Sequence, residues 1–233
     1  MRSNLWATIF RDKFVKEVAT LEEVLQKRIL PTFQDLNEEA ERVSTEKYKE
    51  LNEHANEYND ASEIAEQAYF TEVDYYIYLD NARQSIINMF AVAFYHLFEQ
   101  QLFELLRDEL LEPEERDNNN LYRVCEAYDR LKIIQIDLTT LSSYNKICHE
   151  LRYICNTAKH TDGSSAGKLR KIKPEYFETL FTRQHPEALI KGRKPITKPL
   201  FGEGLYLSLA DLEIYIDAIK SFWEEMALIL DEK

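Results

Sequence analysis

Arg152, Asn156 and His160 recur every four residues in the run Arg152-Tyr153-Ile154-Cys155-Asn156-Thr157-Ala158-Lys159-His160. On a helix that spacing sets a guanidinium, a carboxamide and an imidazole along one side. An imidazole, with a reference pKa of about 6.5, serves as acid or base near neutrality. A guanidinium grips a phosphate through two hydrogen bonds and offsets developing negative charge. A carboxamide can orient the imidazole or a substrate oxygen. Lys159, Lys168, Arg170 and Lys171 follow closely and could hold flanking phosphates. Together these groups suit metal-independent phosphodiester chemistry, in which a ribose 2′-hydroxyl loses its proton and attacks the adjacent phosphorus. In that scheme His160 is the acid/base, Arg152 stabilises the phosphorane and Asn156 orients. The same side chains also suit a structural role: Arg152 could pair with a carboxylate of a neighbouring helix, while Asn156 and His160 close the helix before Gly163.

Charge favours an anionic ligand in this region alone. The 233 residues carry a net charge of −13, which argues against a general nucleic-acid binder. Residues 146–198, however, hold twelve Lys and Arg against five Asp and Glu. The polar ridge therefore lies in a locally basic stretch of an acidic chain.

The elements that must position the ridge are helical. All five glycines fall at Gly163 or later, and neither Gly nor Pro occurs between Pro31 and Pro113. Turns and strands need such punctuation and long helices do not. Leu5, Ile9, Phe10, Phe14, Val18, Leu21 and Leu25 predict a first helix ending near Leu30, with Pro31 starting its successor. Phe33, Leu36, Ala40, Val43, Tyr48, Leu51, Ala55 and Tyr58 predict a narrow seam on a second helix, as in an antiparallel hairpin. A third, from about Ser62 to Leu111, is apolar on nearly every face between Ile86 and Phe98 and should be central. A shorter helix is expected at about Leu121 to Lys132, and Thr139 or Thr140 could cap the helix that ends near His160. Beyond it come a short helix from Ser164 or Ser165 to Arg170, another element after Pro174, an irregular stretch from Arg183 to Gly204 with a small hairpin at Ile196 to Leu207, and a last helix capped by Ser208. Leu212, Ile216, Ile219, Trp223 and Met226 form its buried face.

The expected fold is thus all-α, an up-and-down helical bundle. Residues 1–60 form an N-terminal helical arm, and residues 61–233 form the bundle, with an irregular basic segment at 161–207 and a final helix at 208–231. The 45% hydrophobic content supplies a sizeable core, and no apolar run spans a bilayer, so a cytoplasmic protein is expected. Cys125, Cys148 and Cys155 read as reduced core cysteines. No metal set stands out: Cys148, His149 and Glu150 are adjacent and point to different faces. Gly-rich phosphate loops and nucleophile elbows need glycines that the first 162 residues lack. No cofactor is implied. His96 reads as a satisfied core histidine, and Glu99, one turn later, as a buried carboxylate needing a cation, with Arg152 the candidate.

The Leu97-Phe98-Glu99 setting on the long apolar helix, followed by Leu102-Phe103, and the later helix closing in Asn156-Thr157-Ala158-Lys159-His160 resemble the HEPN superfamily of small helical bundles. The resemblance covers about Glu72 to His160 and the final helix. It implies a metal-independent endoribonuclease of bacterial toxin–antitoxin, abortive-infection or antiviral defence systems, an RNA substrate, and a homodimer whose two motifs share a cleft. It also implies a protein partner or antitoxin, for which the N-terminal arm is the candidate surface. The family's signature places an Arg a few residues before the final His. Here Cys155 stands in that place, and Arg152 lies one turn earlier. The alternative reading is a catalytically inactive helical module that binds a partner protein through the seam of its first two helices.

Overall fold

The computed structural model describes residues 2–55, 60–184 and 204–232, and every regular element among them is helical. The helices are α1 (Ser3–Ile9), α2 (Val15–Val24), α3 (Leu36–Glu53), α4 (Ala61–Leu105), α5 (Val124–Ile133), α6 (Arg152–His160), α7 (Ser164–Ile172), α8 (Leu180–Gln184) and α9 (Leu209–Asp231). The chain divides into two compact units. One combines residues 1–23 with 87–233, and the other comprises residues 24–86. The start of the chain is therefore part of the unit that carries the ridge, and only the later part of the expected arm belongs to the other.

The reason is aromatic packing. Trp6, Phe10, Phe14 and Val18 are buried and strictly four apart. An α-helix repeats every 3.6 residues, so a stripe at intervals of four drifts by about 40° per step. The drift is taken up by a π-helical turn at Phe10–Phe14, where the Val15 N–H donates to the carbonyl of Phe10, five residues back. The rings of Phe10 and Phe14 then lie 4.9 and 4.8 Å from that of Trp223 on α9. Leu5, assigned to this face by its spacing, is 47% exposed, and Trp6 fills the place. Trp6 also donates its indole N–H to Glu109 at 3.0 Å, and Arg2 joins the same carboxylate at 2.9 Å.

Helix α9 begins where the sequence places it. Ser208 accepts the Asp211 N–H at 3.0 Å and Asp211 returns a bond to the Ser208 N–H at 2.9 Å, a reciprocal N-cap. Leu212, Ile216, Ile219, Trp223 and Met226 are all fully buried, as the periodicity requires. Around Trp223 lies a buried polar knot. Gln101 of α4 accepts the Trp223 indole N–H at 2.6 Å and donates to the Phe14 carbonyl at 3.1 Å and to Glu17 at 3.0 Å.

In the unit of residues 24–86, α3 runs antiparallel to the first half of α4. Ser44 donates to the Ala68 carbonyl at 2.9 Å, and the Tyr75 hydroxyl reaches Glu39 at 3.5 Å. Leu36, Ala40, Ile64 and Ala68 are buried. Helix α4 runs unbroken past Asp80 and Asn81.

Two caps differ from expectation. Gly163, and neither Ser164 nor Ser165, is the N-cap residue of α7. Thr139 and Thr140 do not start the ridge helix: Asp137 caps a short 3₁₀ turn there, its carboxylate accepting from the Thr139 N–H at 3.0 Å. The ridge helix begins afterwards, through a π-helical turn at Lys146–Leu151 that runs directly into α6. The Ile196 to Leu207 hairpin lies mostly outside the described residues, as does Tyr58 of the seam; residues 204–207 are not strand. Of the expected irregular basic segment, residues 164–184 are largely helical and residues 185–203 lie outside the described part.

Candidate functional site

Arg152, Asn156 and His160 lie within one stretch of regular α-helix and share a side of α6. Its other side is core: Leu151, Ile154, Cys155 and Thr157 are buried. Arg152 and Asn156 are half-buried, and His160, closing the helix, is exposed. Among the described residues, the side chains of these three form no hydrogen bond or ion pair. The ridge is not consumed by internal partners.

The surroundings of Arg152 differ from those expected. Its guanidinium sits 5.6 Å from the Tyr153 ring and acts electrostatically on Tyr95, Tyr144 and Cys148. Helical side chains lean toward the N-terminus of their helix, which carries Arg152 away from His160. The ridge is therefore a line and not a point: about 12 Å of helix separates its two ends at 1.5 Å per residue.

Glu99 does not pair with Arg152. It faces His96 at 3.8 Å and feels the charge of Lys159. His96 is not a core histidine either, since its side chain is 61% exposed. Helix α4 here turns a polar edge outward between Phe94 and Phe98, both fully buried. Partial burial raises the Glu99 carboxyl from its ordinary value, with Lys159 and His96 pulling it back. The folded protein therefore holds this proton to higher pH than the unfolded chain. The stability contributed by the protonated form is complete below the unfolded pKa and is lost as pH rises through the folded one. Glu99→Gln should raise the melting temperature at pH 7. The gain should vanish below about pH 4, where the carboxyl is protonated in both states. Melting curves of both proteins across that range check the sign.

The cations around the ridge fall into two groups. Lys159, Lys168 and Lys171 are exposed, and the Lys168 ammonium stands 5.5 Å from the Tyr153 ring. Arg170 is committed internally. It binds Asp162 at 2.7 Å and stacks over Phe177 at 4.4 Å, which ties down the turn that follows His160. That turn carries backbone strain. Thr161 has φ 54°, a left-handed conformation costly for a β-branched residue.

The ridge helix is fixed from beneath. The Tyr215 hydroxyl donates to Glu150 at 3.0 Å and shares a 2.9 Å hydrogen bond with Tyr176. Burial pushes the Tyr176 hydroxyl up to about 12, so this relay stays protonated and structural at neutral pH. Burial pushes the Cys148 thiol up to about 11, against its contact with Tyr128 and the charge of Arg152, which makes it a poor nucleophile. Cys155 is likewise buried and raised, whereas Cys125 is exposed and does not belong to the core. Sequence reasoning missed the aromatic row beside the ridge, in which Tyr144 and His149 lie 5.7 Å apart and His149 and Tyr153 lie 6.2 Å apart. The recurrence of rings at 144, 149 and 153 was its only signal.

Among the described residues no three His, Cys, Asp or Glu side chains converge to hold a metal, and no helix is long and apolar enough to cross a membrane. Comparison with known proteins finds no matching family model, no similar curated protein and no similar solved structure.

Proposed function

We propose that the protein binds RNA along the α6 ridge and cleaves it by attack of the ribose 2′-hydroxyl on the adjacent phosphorus, with the 5′-oxygen leaving, as a HEPN-like bundle acting in bacterial defence or as a toxin. The observation that carries this reading is the state of three side chains. Arg152, Asn156 and His160 share one side of a helix, and among the described residues none has a hydrogen-bond or ion-pair partner. Half-buried polar groups normally find partners within the protein or in water. A row of them beside exposed Lys159, Lys168 and Lys171 is matched by a phosphodiester chain.

The roles follow position. His160, exposed at the helix end, takes the 2′-hydroxyl proton and returns one to the leaving 5′-oxygen. Asn156, one turn back, orients the imidazole or a non-bridging oxygen. Arg152 lies two turns from His160 and leans away from it, so it holds a flanking phosphate and not the phosphorane first assigned to it. Its ring neighbour Tyr153, with Lys168 alongside, offers a face for a base. A homodimer would double the ridge and bring a second set of cations to a shared substrate.

The test is incubation of the purified protein with single-stranded RNA in EDTA, with products separated by size and end group. Fragments ending in 2′,3′-cyclic phosphate support the scheme. Binding without cleavage would leave an RNA-binding ridge and remove the enzymatic role. Absence of both would end the proposal.

A further inference from the structure

The first half of α4 carries an unpartnered apolar stripe in the unit of residues 24–86. Tyr69 is 59% exposed, Phe70 55%, Tyr76 38% and Ile77 46%, and Val73 lies half-exposed among them. Scattered exposed apolar residues are ordinary, but these are ordered. Glu66, Tyr69, Val73, Tyr76 and Asp80 follow intervals of three and four, the spacing of a helix seam made to receive another helix. The side of α4 that packs on α3 is a different one, bearing Ile64 and Ala68. Beside the stripe, Tyr48, Ala65 and Tyr69 line a groove of about 320 Å³ whose rim carries Glu41 and Glu72.

Charge selects the occupant. Residues 24–86 hold fourteen Asp and Glu against six Lys and Arg. The ion pairs described in this unit, Arg42–Glu46 and Lys47–Glu50, lie on α3. Among the described residues Glu63, Glu66, Asp74 and Asp80, exposed on α4, have no cationic partner. A second copy packed antiparallel on the stripe about Val73 would set Glu66 against Asp80 at both ends, like charge against like. A cationic helix reverses that sign at every pairing.

We infer that this face of α4 docks an amphipathic, Lys- or Arg-rich helix of another protein, its apolar side on Tyr69, Val73 and Tyr76 and its cations against Glu66 and Asp80. This surface is separate from the ridge and stands whether or not the ridge cleaves RNA. It differs from the seam expected on the second helix, whose Leu36 and Ala40 are buried and whose Tyr48 borders the groove.

The probe is a fluorescently labelled synthetic helix of Leu and Lys in heptads, with a Leu/Glu helix of the same pattern as control. Fluorescence anisotropy with the full chain near 0.1 M salt should show saturable binding of the cationic helix and none of the acidic one. Tyr69→Ala/Tyr76→Ala and Glu66→Lys/Asp80→Lys should each weaken binding at least tenfold. Glu112→Lys/Glu114→Lys, which makes the same change in net charge on an exposed loop, should weaken it less than twofold. Circular dichroism confirms that the surface variants keep their helix content. Equal losses in the two charge-reversal variants, with Tyr69→Ala/Tyr76→Ala binding as the wild type does, would reduce the effect to bulk charge and overturn the proposal, as would failure of the wild type to bind. A wild-type dimer in light scattering that Tyr69→Ala/Tyr76→Ala converts to monomer would also overturn it, by assigning the stripe to a second copy.

Discussion

Replacing His160 with Ala should lower RNA cleavage by about 100-fold or more, the usual contribution of a positioned acid/base. Melting temperature and helix content should hardly change. The side chain is exposed, closes α6 and makes no hydrogen bond to a described residue, so nothing in the core depends on it. Truncation leaves space at the helix end, and added imidazole should restore part of the lost rate. Arg152→Ala should act differently. If Arg152 holds a flanking phosphate, its loss weakens RNA binding, raises KM more than it lowers kcat, and reduces the salt dependence of binding by about one charge. The two variants thus separate chemistry from grip. Cleavage by His160→Ala at the wild-type rate in EDTA would remove the imidazole from the mechanism.

Gln101→Leu should destabilise the protein by about 3 kcal/mol, although it puts an apolar residue at a buried site. Gln101 is 2% exposed and uses both ends of its amide. Its oxygen accepts the Trp223 indole N–H, and its nitrogen serves the Phe14 carbonyl and Glu17. Leucine would strand a buried indole N–H and a backbone carbonyl, each costing about 1–3 kcal/mol, and the added apolar contact returns only part of that. Gln100→Leu, one residue away and exposed, should stay within about 0.5 kcal/mol of wild type. Urea denaturation of the three proteins measures both. Equal small losses would mean that water or a shifted side chain replaces the amide.

What the sequence conveyed well was local. The absence of glycine before position 163 implied helices, Ser208 announced the start of α9, and the spacing from Leu212 to Met226 gave its buried face. The end of α6 at His160 was legible because the polar turn after it cannot continue a helix. Non-local pairings were not. Nothing in the first helix said that Trp6, Phe10 and Phe14 would meet Trp223 across more than two hundred residues, because an apolar stripe records that it is buried and not by what. The π turns were invisible for a related reason: they arise where stripes at intervals of four must stay in line, and that demand comes from the partner. The stripe from Tyr69 to Ile77 gave no sign in the sequence that it would be exposed, because aromatic residues at helical spacing look the same whether the neighbouring helix is in the same chain or elsewhere. At the ridge, residue types and their common side were readable. The neighbours of Arg152 and Glu99 were not, since they depend on how α4 and α6 are set against each other.

The turn at Lys146–Leu151 has a consequence for how such a surface changes over generations. The Arg152 N–H reaches back to the Ile147 carbonyl, so the coil there contains one residue more than ordinary winding would use. Loss of a single codon from this stretch would let the coil close into ordinary winding with everything downstream keeping its direction around the axis, whereas the same loss within a plain α-helix would swing it by about 100°. Ile154 and Cys155 would stay toward the interior and the ridge toward water. A lineage could thus lose one codon here and keep this face, because the wide turn marks a place where such a change in length is absorbed.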